Sequence, residues 1–326
     1  MKKVSFIGIV VLLLCMIICL IGYNSLTIKQ EREKYKETSQ SSQEPEKKVE
    51  SSKNSPTIYC LGDSLSSYPT ALSTLTGLSV NKLGGSTDQT IDIAIKIGRI
   101  KIYTNDITIP ASTDSVDLTL YDEDENELDV LKGELDNFSS VTIAGVEGTL
   151  SYNSDKDTHT FKRDEAGDEV SISSPTEISA EIPEFEDNKI AIIFTGTYDP
   201  NIENGIFRTI TYQRAIINQL DTDKYIVVSL TDKNRFPIVR DMNSVLAEEH
   251  GEHFLDFRSY LLSDGLNDAN ITPTEEDTEA IDNGYIPPSF LKDETHGNGK
   301  FNDLLAEQLL EKMIDLGYLT QNQLNN

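Results

Sequence analysis

Residues 58–69 read IYCLGDSLSSYP: four apolar positions, then Gly-Asp-Ser, then a break at Ser-Ser-Tyr-Pro. A short unbroken apolar run bounded by Pro56 and Gly62 is the pattern of a buried strand. Gly62, Asp63 and Ser64 each favour turns for a different reason, so the triplet marks where that strand ends. The segment YPTALSTLTG (68–77) then carries the chain into a helix. The same grammar returns far downstream. KIAIIFTG (189–196) is a fully apolar strand, NGIFRTITYQRAIINQL (204–220) is a helix with apolar residues at three- and four-residue spacings, and KYIVVSL (224–230) is another buried strand. A helix around 239–249, a short strand HFLDF (253–257) and an amphipathic helix over 302–316 complete the series. Strands alternating with helices predict an α/β fold with a parallel sheet covered on both faces. In such a sheet the residues just past a strand's carboxyl end face the ligand crevice, and Ser64 stands at one such end.

Between Arg99 and Asp187 the pattern changes to short alternating runs: IKIYTNDITI, VDLTLYD, SVTIAGVEGTLSY, HTFKR and VSISS. Gly, Asn and Asp separate them, which is antiparallel β grammar. This stretch holds 23 Asp and Glu against 6 Lys and Arg, so it carries most of the chain's excess acid. A small all-β domain at 99–188, inserted into an α/β domain built from 57–98 and 189–326, explains both shifts.

At the amino end, Val4 to Tyr23 carries no charge and follows Lys2 and Lys3, enough residues to span a bilayer. The flanking lysines predict a cytoplasmic start and an outward-facing remainder. Residues 1–23 are thus expected to be a transmembrane anchor, with a cleaved signal peptide as the rival and secretion as its consequence. Leu14 and Ile18 precede Cys15 and Cys19, where lipoprotein processing needs a small residue. Residues 24–56 are rich in Lys, Glu, Ser and Gln, too poor in apolar groups to offset the entropy of ordering, and are read as a disordered linker. The net charge of −27 excludes nucleic acid as a partner and disfavours anionic lipid. With two of its three cysteines inside the apolar stretch, the chain has no disulfide framework, and Cys60 is expected to be a small buried hydrophobe.

A serine hydroxyl needs a histidine to take its proton and a carboxylate to orient that histidine. The four histidines are His159, His250, His253 and His296. Only His296, in FLKDETHGNGKFND, has an aspartate three residues before it, close enough for Asp293 to fold back onto the imidazole within one loop turn.

Gly-Asp-Ser-Leu after the first strand, NKLGGSTDQT following, Gly-x-x-Asp after a central strand and Asp-x-x-His before the last helix occur in that order. In this layout the chain resembles the SGNH (GDSL) hydrolases over 57–98 and 189–326, and is most similar to exported bacterial members with an inserted β domain. The resemblance implies a flavodoxin-like three-layer fold and ester hydrolysis through an acyl-serine intermediate, with no cofactor or metal. It implies Ser64 as nucleophile, His296 as general base and then acid, Asp293 as orienter of His296, and an oxyanion hole using the N–H groups of Ser64 and Gly85. One position departs from the family pattern. The asparagine amide that completes the hole is replaced by Tyr198 in FTGTYDPN. Tyr198 could donate its phenol, Asn201 could reach in, or two backbone donors could suffice.

The expected activity is that of an extracellular, membrane-tethered serine esterase acting on an acylated small molecule or polysaccharide, for instance an O-acetyl group on carbohydrate. The alternatives are a lipase or lysophospholipase, and a non-catalytic carbohydrate-binding surface protein. Without tryptophan, any sugar-stacking surface falls to Tyr103, Tyr121, Tyr152 or Phe161. The run YDEDENELD (121–129) has the first half of a calcium loop without the glycine and glutamate of its second half, so it reads as an acidic hairpin. His250 and His253 read as a helix end exposed to solvent.

Overall fold

The computed structural model describes residues 55–65, 68–135, 138–200, 205–232, 238–320 and 323. The expected anchor, nearly all of the expected linker, and Asn201 lie outside these. Among the described residues no helix is long and apolar enough to cross a membrane.

The chain begins with β1 (Thr57–Gly62), α1 (Pro69–Thr76), β2 (Val80–Leu83) and α2 (Thr90–Lys96). Helix α1 opens on Pro69, whose missing N–H would have no helical partner there, and closes on Gly77 in the left-handed region at φ 69°. Helix α2 is short and buried at every position. Its isoleucines alternate as a strand's would, yet the helix serves two cores at once. Ile93, Ala94 and Ile97 pack into the core of the parallel sheet. Ile91 and Ile95, one turn apart on another face, pack into a second core.

That second core belongs to eight strands: β3 (Ile102–Thr104), β4 (Ile107–Ile109), β5 (Ser115–Leu118), β6 (Ser140–Ile143), β7 (Val146–Asn153), β8 (Thr158–Arg163), β9 (Val170–Ile172) and β10 (Thr176–Ala180). Six form an antiparallel sheet in the order β3-β10-β6-β7-β8-β5, and β4 pairs with β9. Ala144 and Gly145, with φ of 50° and 79°, make the tight β6–β7 turn whose twist matches its strands. Phe161, on β8 opposite Leu150 of β7, is wholly buried, which removes it from the candidate sugar-stacking residues. In YDEDENELD, Asp122 Oδ1 accepts the N–H groups of Asp124 and Asn126 at 2.9 and 2.8 Å, so its carboxylate closes its own hairpin.

The chain then returns to the first sheet through β11 (Lys189–Phe194), α3 (Gly205–Leu220), β12 (Tyr225–Val228), α4 (Ile238–His250), β13 (Phe254–Leu255), α5 (Phe257–Ser263), α6 (Gly265–Asp268), α7 (Glu275–Asp282) and α8 (Gly299–Asp315). Strand order is β2-β1-β11-β12-β13, all parallel. Strand β11 is buried at all six positions, as a strand is when both faces of its sheet are covered. The connections from β1 and from β11 leave in opposite directions across the sheet. The gap between these neighbours, at their carboxyl ends, is therefore where a parallel sheet opens a crevice. Both sheets belong to one compact unit, residues 54–326.

His250 is not at an exposed helix end. It is 4% exposed, its Nε2 bonded to Gln213 Oε1 at 2.9 Å, and the ring of His253 stacks on Tyr225 with centroids 4.1 Å apart. The helix turns its carboxyl end inward against α3 and β12, which a one-dimensional reading of charges does not reveal.

Candidate active site

Ser64 lies two residues past β1. Asp63 shapes the turn that presents it: its Oδ1 accepts the Leu65 N–H at 2.8 Å, so the chain folds around the aspartate and leaves the serine at the tip. Asp63 is fully buried, and that burial pushes its carboxyl up to about 7, against the lowering effect of the Leu65 N–H and the Thr197 hydroxyl.

Asp293 and His296 occupy a turn between the strand-like pair Leu291 and Gly297. Asp293 Oδ1 accepts the N–H groups of His296 at 2.7 Å and Thr295 at 2.9 Å. These backbone bonds, with that from the His296 ring, pull its carboxyl down to about 2. The Asn298 side chain caps α8 by accepting from the Lys300 and Phe301 N–H groups, which fixes the turn to a helix docked in the core.

The two turns meet although 232 residues separate them. His296 Nδ1 lies 2.9 Å from Asp293 Oδ2, and His296 Nε2 lies 2.9 Å from Ser64 Oγ. A carboxylate only accepts, so Nδ1 carries the ring proton and Nε2 of the neutral imidazole is left to accept the serine O–H. Ser64 is half-buried, and the His296 side chain keeps 31% of its surface exposed, so a substrate can reach both.

Tyr198 joins them from the turn after β11. Its Oη is 3.3 Å from Ser64 Oγ. Because Ser64 has one proton and gives it to His296, the phenol is the donor in this contact. The turn is tight: Gly196 stands at φ 116° and Asp199 N–H reaches back to the Gly196 carbonyl. Asp199, the next residue, is buried, and its carboxylate accepts the Thr90 N–H at 2.6 Å, the Thr90 hydroxyl at 2.8 Å and the Thr209 hydroxyl.

Gly85 is buried in the loop after β2, but its N–H donates to Asp88 Oδ2 at 2.7 Å rather than towards Ser64. The expectation that this N–H faces the reacting oxygen is not met, because a buried carboxylate three residues on takes it. Lys96 Nζ holds the same Asp88 oxygen at 2.6 Å and also reaches the Glu134 carbonyl, while Asp92 Oδ1 accepts the Leu131 N–H at 2.8 Å. The loop behind the site is thus fastened to the segment entering the antiparallel sheet.

Sequence reasoning assigned no role to Asp63, Thr90, Asp88, Lys96 or Asp199. One signal was available for Lys96, a lone cation in the apolar stretch TIDIAIKIG. His159 stands away from the serine, buried with Nε2 3.0 Å from the Leu131 carbonyl. Among the described residues no group of three or more His, Cys, Asp or Glu could hold a metal ion.

No protein-family model and no curated protein matches the chain. Among solved structures, a chain from Streptococcus pneumonia, described provisionally as a platelet activating factor, matches with a TM-score of 0.40 at 14% identity, over 91% of this chain and 98% of that chain. The chemistry of the site rests on its own residues.

Proposed function

We propose that the chain is a serine hydrolase cleaving carboxylic esters through an acyl-Ser64 intermediate, with the flavodoxin-like layering of the SGNH hydrolases that its motifs resemble. The observation that carries this is the unbroken hydrogen-bonded series Asp293, His296, Ser64. In the first half-reaction Ser64 Oγ attacks the ester carbonyl carbon and its proton passes to His296 Nε2. The bond to the leaving oxygen then breaks, and His296 returns the proton to that oxygen as the alcohol departs. Water, losing a proton to His296, next attacks the acyl-serine. Ser64 leaves as the alcohol by recovering that proton, and the carboxylic acid is released.

The negative oxygen formed in each addition is met by the Ser64 N–H and by the Tyr198 O–H, which takes the place of the family's asparagine amide. Each donor of this kind is worth about 2.7–4 kcal/mol of transition-state stabilisation. The site is open and the chain strongly acidic, which suits an uncharged acyl group on a carbohydrate, such as an acetyl ester, better than an anionic lipid surface. The apolar stretch Val4–Tyr23 would hold the enzyme on the outer face of a membrane.

The test is hydrolysis of a chromogenic acetyl ester, and labelling by a serine-reactive fluorophosphonate, for wild type and Ser64→Ala. Wild type is expected to turn over and label, and Ser64→Ala to do neither. Two equally inert proteins would leave only the binding-protein alternative, and activity surviving in Ser64→Ala would remove Ser64 as nucleophile.

A further inference from the structure

The Asp199 carboxylate lies in the interior, where an unpartnered charge would be costly, and the donors around it come from two different helices. Thr90, the first residue of α2, gives both its N–H and its hydroxyl. Thr209, one turn into α3, directs its single O–H proton at Asp199, the shorter of its two contacts, with the Gly205 carbonyl 3.2 Å away. Helices α2 and α3 pack against each other, so the two threonines are held at a fixed separation and the carboxylate has one place to sit. The residue just before Asp199 is Tyr198, whose Oη reaches Ser64 Oγ.

We propose that Thr90, Asp199 and Thr209 form a clamp of positioning residues that sets the Tyr198 phenol where negative charge develops on the substrate oxygen. The inference rests on the reading of Ser64 as nucleophile and Tyr198 as a donor to that oxygen. A backbone N–H donor is fixed by the chain itself, whereas a phenol stands at the end of a side chain and must be placed by its backbone and packing. Here the residue immediately after Tyr198 is fixed by three hydrogen bonds that its carboxylate accepts from two helices. The geometry also explains why the exchange of an amide for a phenol need not loosen the site. The longer donor sits beside a residue held by both helices.

The clamp is separable from the fold by a double-mutant cycle. Asp199→Asn keeps the shape and one carbonyl oxygen for the Thr90 N–H, but the oxygen that accepts both threonine hydroxyls becomes an amide nitrogen that can only donate. Thr90→Val keeps the outline of the side chain and loses the hydroxyl. With a chromogenic acetyl ester, Tyr198→Phe is expected to lower kcat by about 10²–10³. Asp199→Asn and Thr90→Val are expected to lower kcat by about tenfold to a hundredfold with KM within about twofold, as a misplaced group does. In the Tyr198→Phe background the same two substitutions should have no further effect on kcat. Equal effects in both backgrounds would overturn the clamp, because they would show it acting on the fold and not through Tyr198. Full kcat in Tyr198→Phe, with Ser64→Ala inactive, would overturn the phenol's role and the clamp with it, while leaving the hydrolase reading intact. Where Asp199→Asn fails to fold, Thr209→Val, which removes one hydroxyl and keeps both bonds from Thr90, gives the same comparison.

Discussion

Lys96 Nζ lies 2.6 Å from Asp88 Oδ2, with 3% and 0% of the two side chains exposed. Such a pair gains little over a well-packed apolar one, but removing one member strands a charge in the interior at a cost of about 3–5 kcal/mol. Lys96→Met should therefore lower the free energy of unfolding by about that amount. Lys96→Met combined with Asp88→Asn should recover a substantial part, because the remaining amide is neutral and its oxygen can still accept the Gly85 N–H. Denaturant titration of the three proteins measures both numbers. A Lys96→Met protein as stable as wild type would show that the pair does not hold the loop behind Ser64.

Gly84 sets a second limit on that loop. It stands at φ +103°, and a Cβ there would meet the Gly62 carbonyl oxygen at 2.3 Å and Ile93 Cδ1 at 2.4 Å. Gly77 also has positive φ, at +69°, but a Cβ there meets nothing within 4 Å. Gly77→Ala should cost about 1 kcal/mol for the backbone conformation alone. Gly84→Ala adds a clash with the backbone just before Ser64, and should cost roughly 3 kcal/mol or more and lower kcat as the serine shifts. If both variants melt at the same temperature, the close approach of β1 and the β2 loop has been overstated.

The α/β alternation and the acidic β stretch were legible because β1, β11, β12, α3 and α8 carry their periodicity openly. Helix α2 was not legible: a segment buried all round has no polar face, and its alternating isoleucines imitate a strand while feeding two cores. Strand β2 escaped because it is an edge strand whose burial is only partial. The meeting of Ser64, Asp293 and His296 was legible because a short motif marks each turn. The partners of Asp199 could not. Thr90 and Thr209 lie 109 and 10 residues away, and a threonine near a helix start has many ordinary uses. The direction of the Gly85 N–H was not legible for a related reason. Which way one peptide group turns depends on a buried Asp88 that local sequence marks only as another acidic residue.

His250 makes stability depend on pH. Its burial brings the imidazole from 6.5 down to about 4, with Glu249 opposing and Arg214 and His253 adding to the fall. Because the folded chain takes this proton less readily than the unfolded one, the stability involved is fully present above about pH 6.5 and lost as pH falls towards 4. The expected loss is on the order of 2–3 kcal/mol. Asp63 and Asp92, both raised to about 7 by burial, work the other way: the stability they lend is present below 3.8 and lost as pH rises through 7. Comparing wild type with His250→Gln cancels those carboxyls. The difference between the two unfolding free energies should shrink steadily from pH 6.5 to pH 4. A constant difference over that range would mean that His250 does not titrate as its burial demands.

Asp293 should matter to the reaction far more than to the fold, since it is exposed and closes only its own turn. With its carboxyl held at about 2, it stays ionised in mild acid, so any activity lost there does not come from protonating Asp293. Replacing it by asparagine keeps an oxygen for the Thr295 and His296 N–H groups but can place an amide N–H opposite His296 Nδ1. That favours the tautomer with its proton on Nε2, which cannot accept from Ser64. Asp293→Asn is therefore expected to lower kcat by about 10³–10⁴, with KM and melting temperature close to wild type. Steady-state kinetics and a thermal melt on the same preparation check this. Retention of more than about a tenth of kcat would mean that His296 is oriented by something other than the carboxylate beside it.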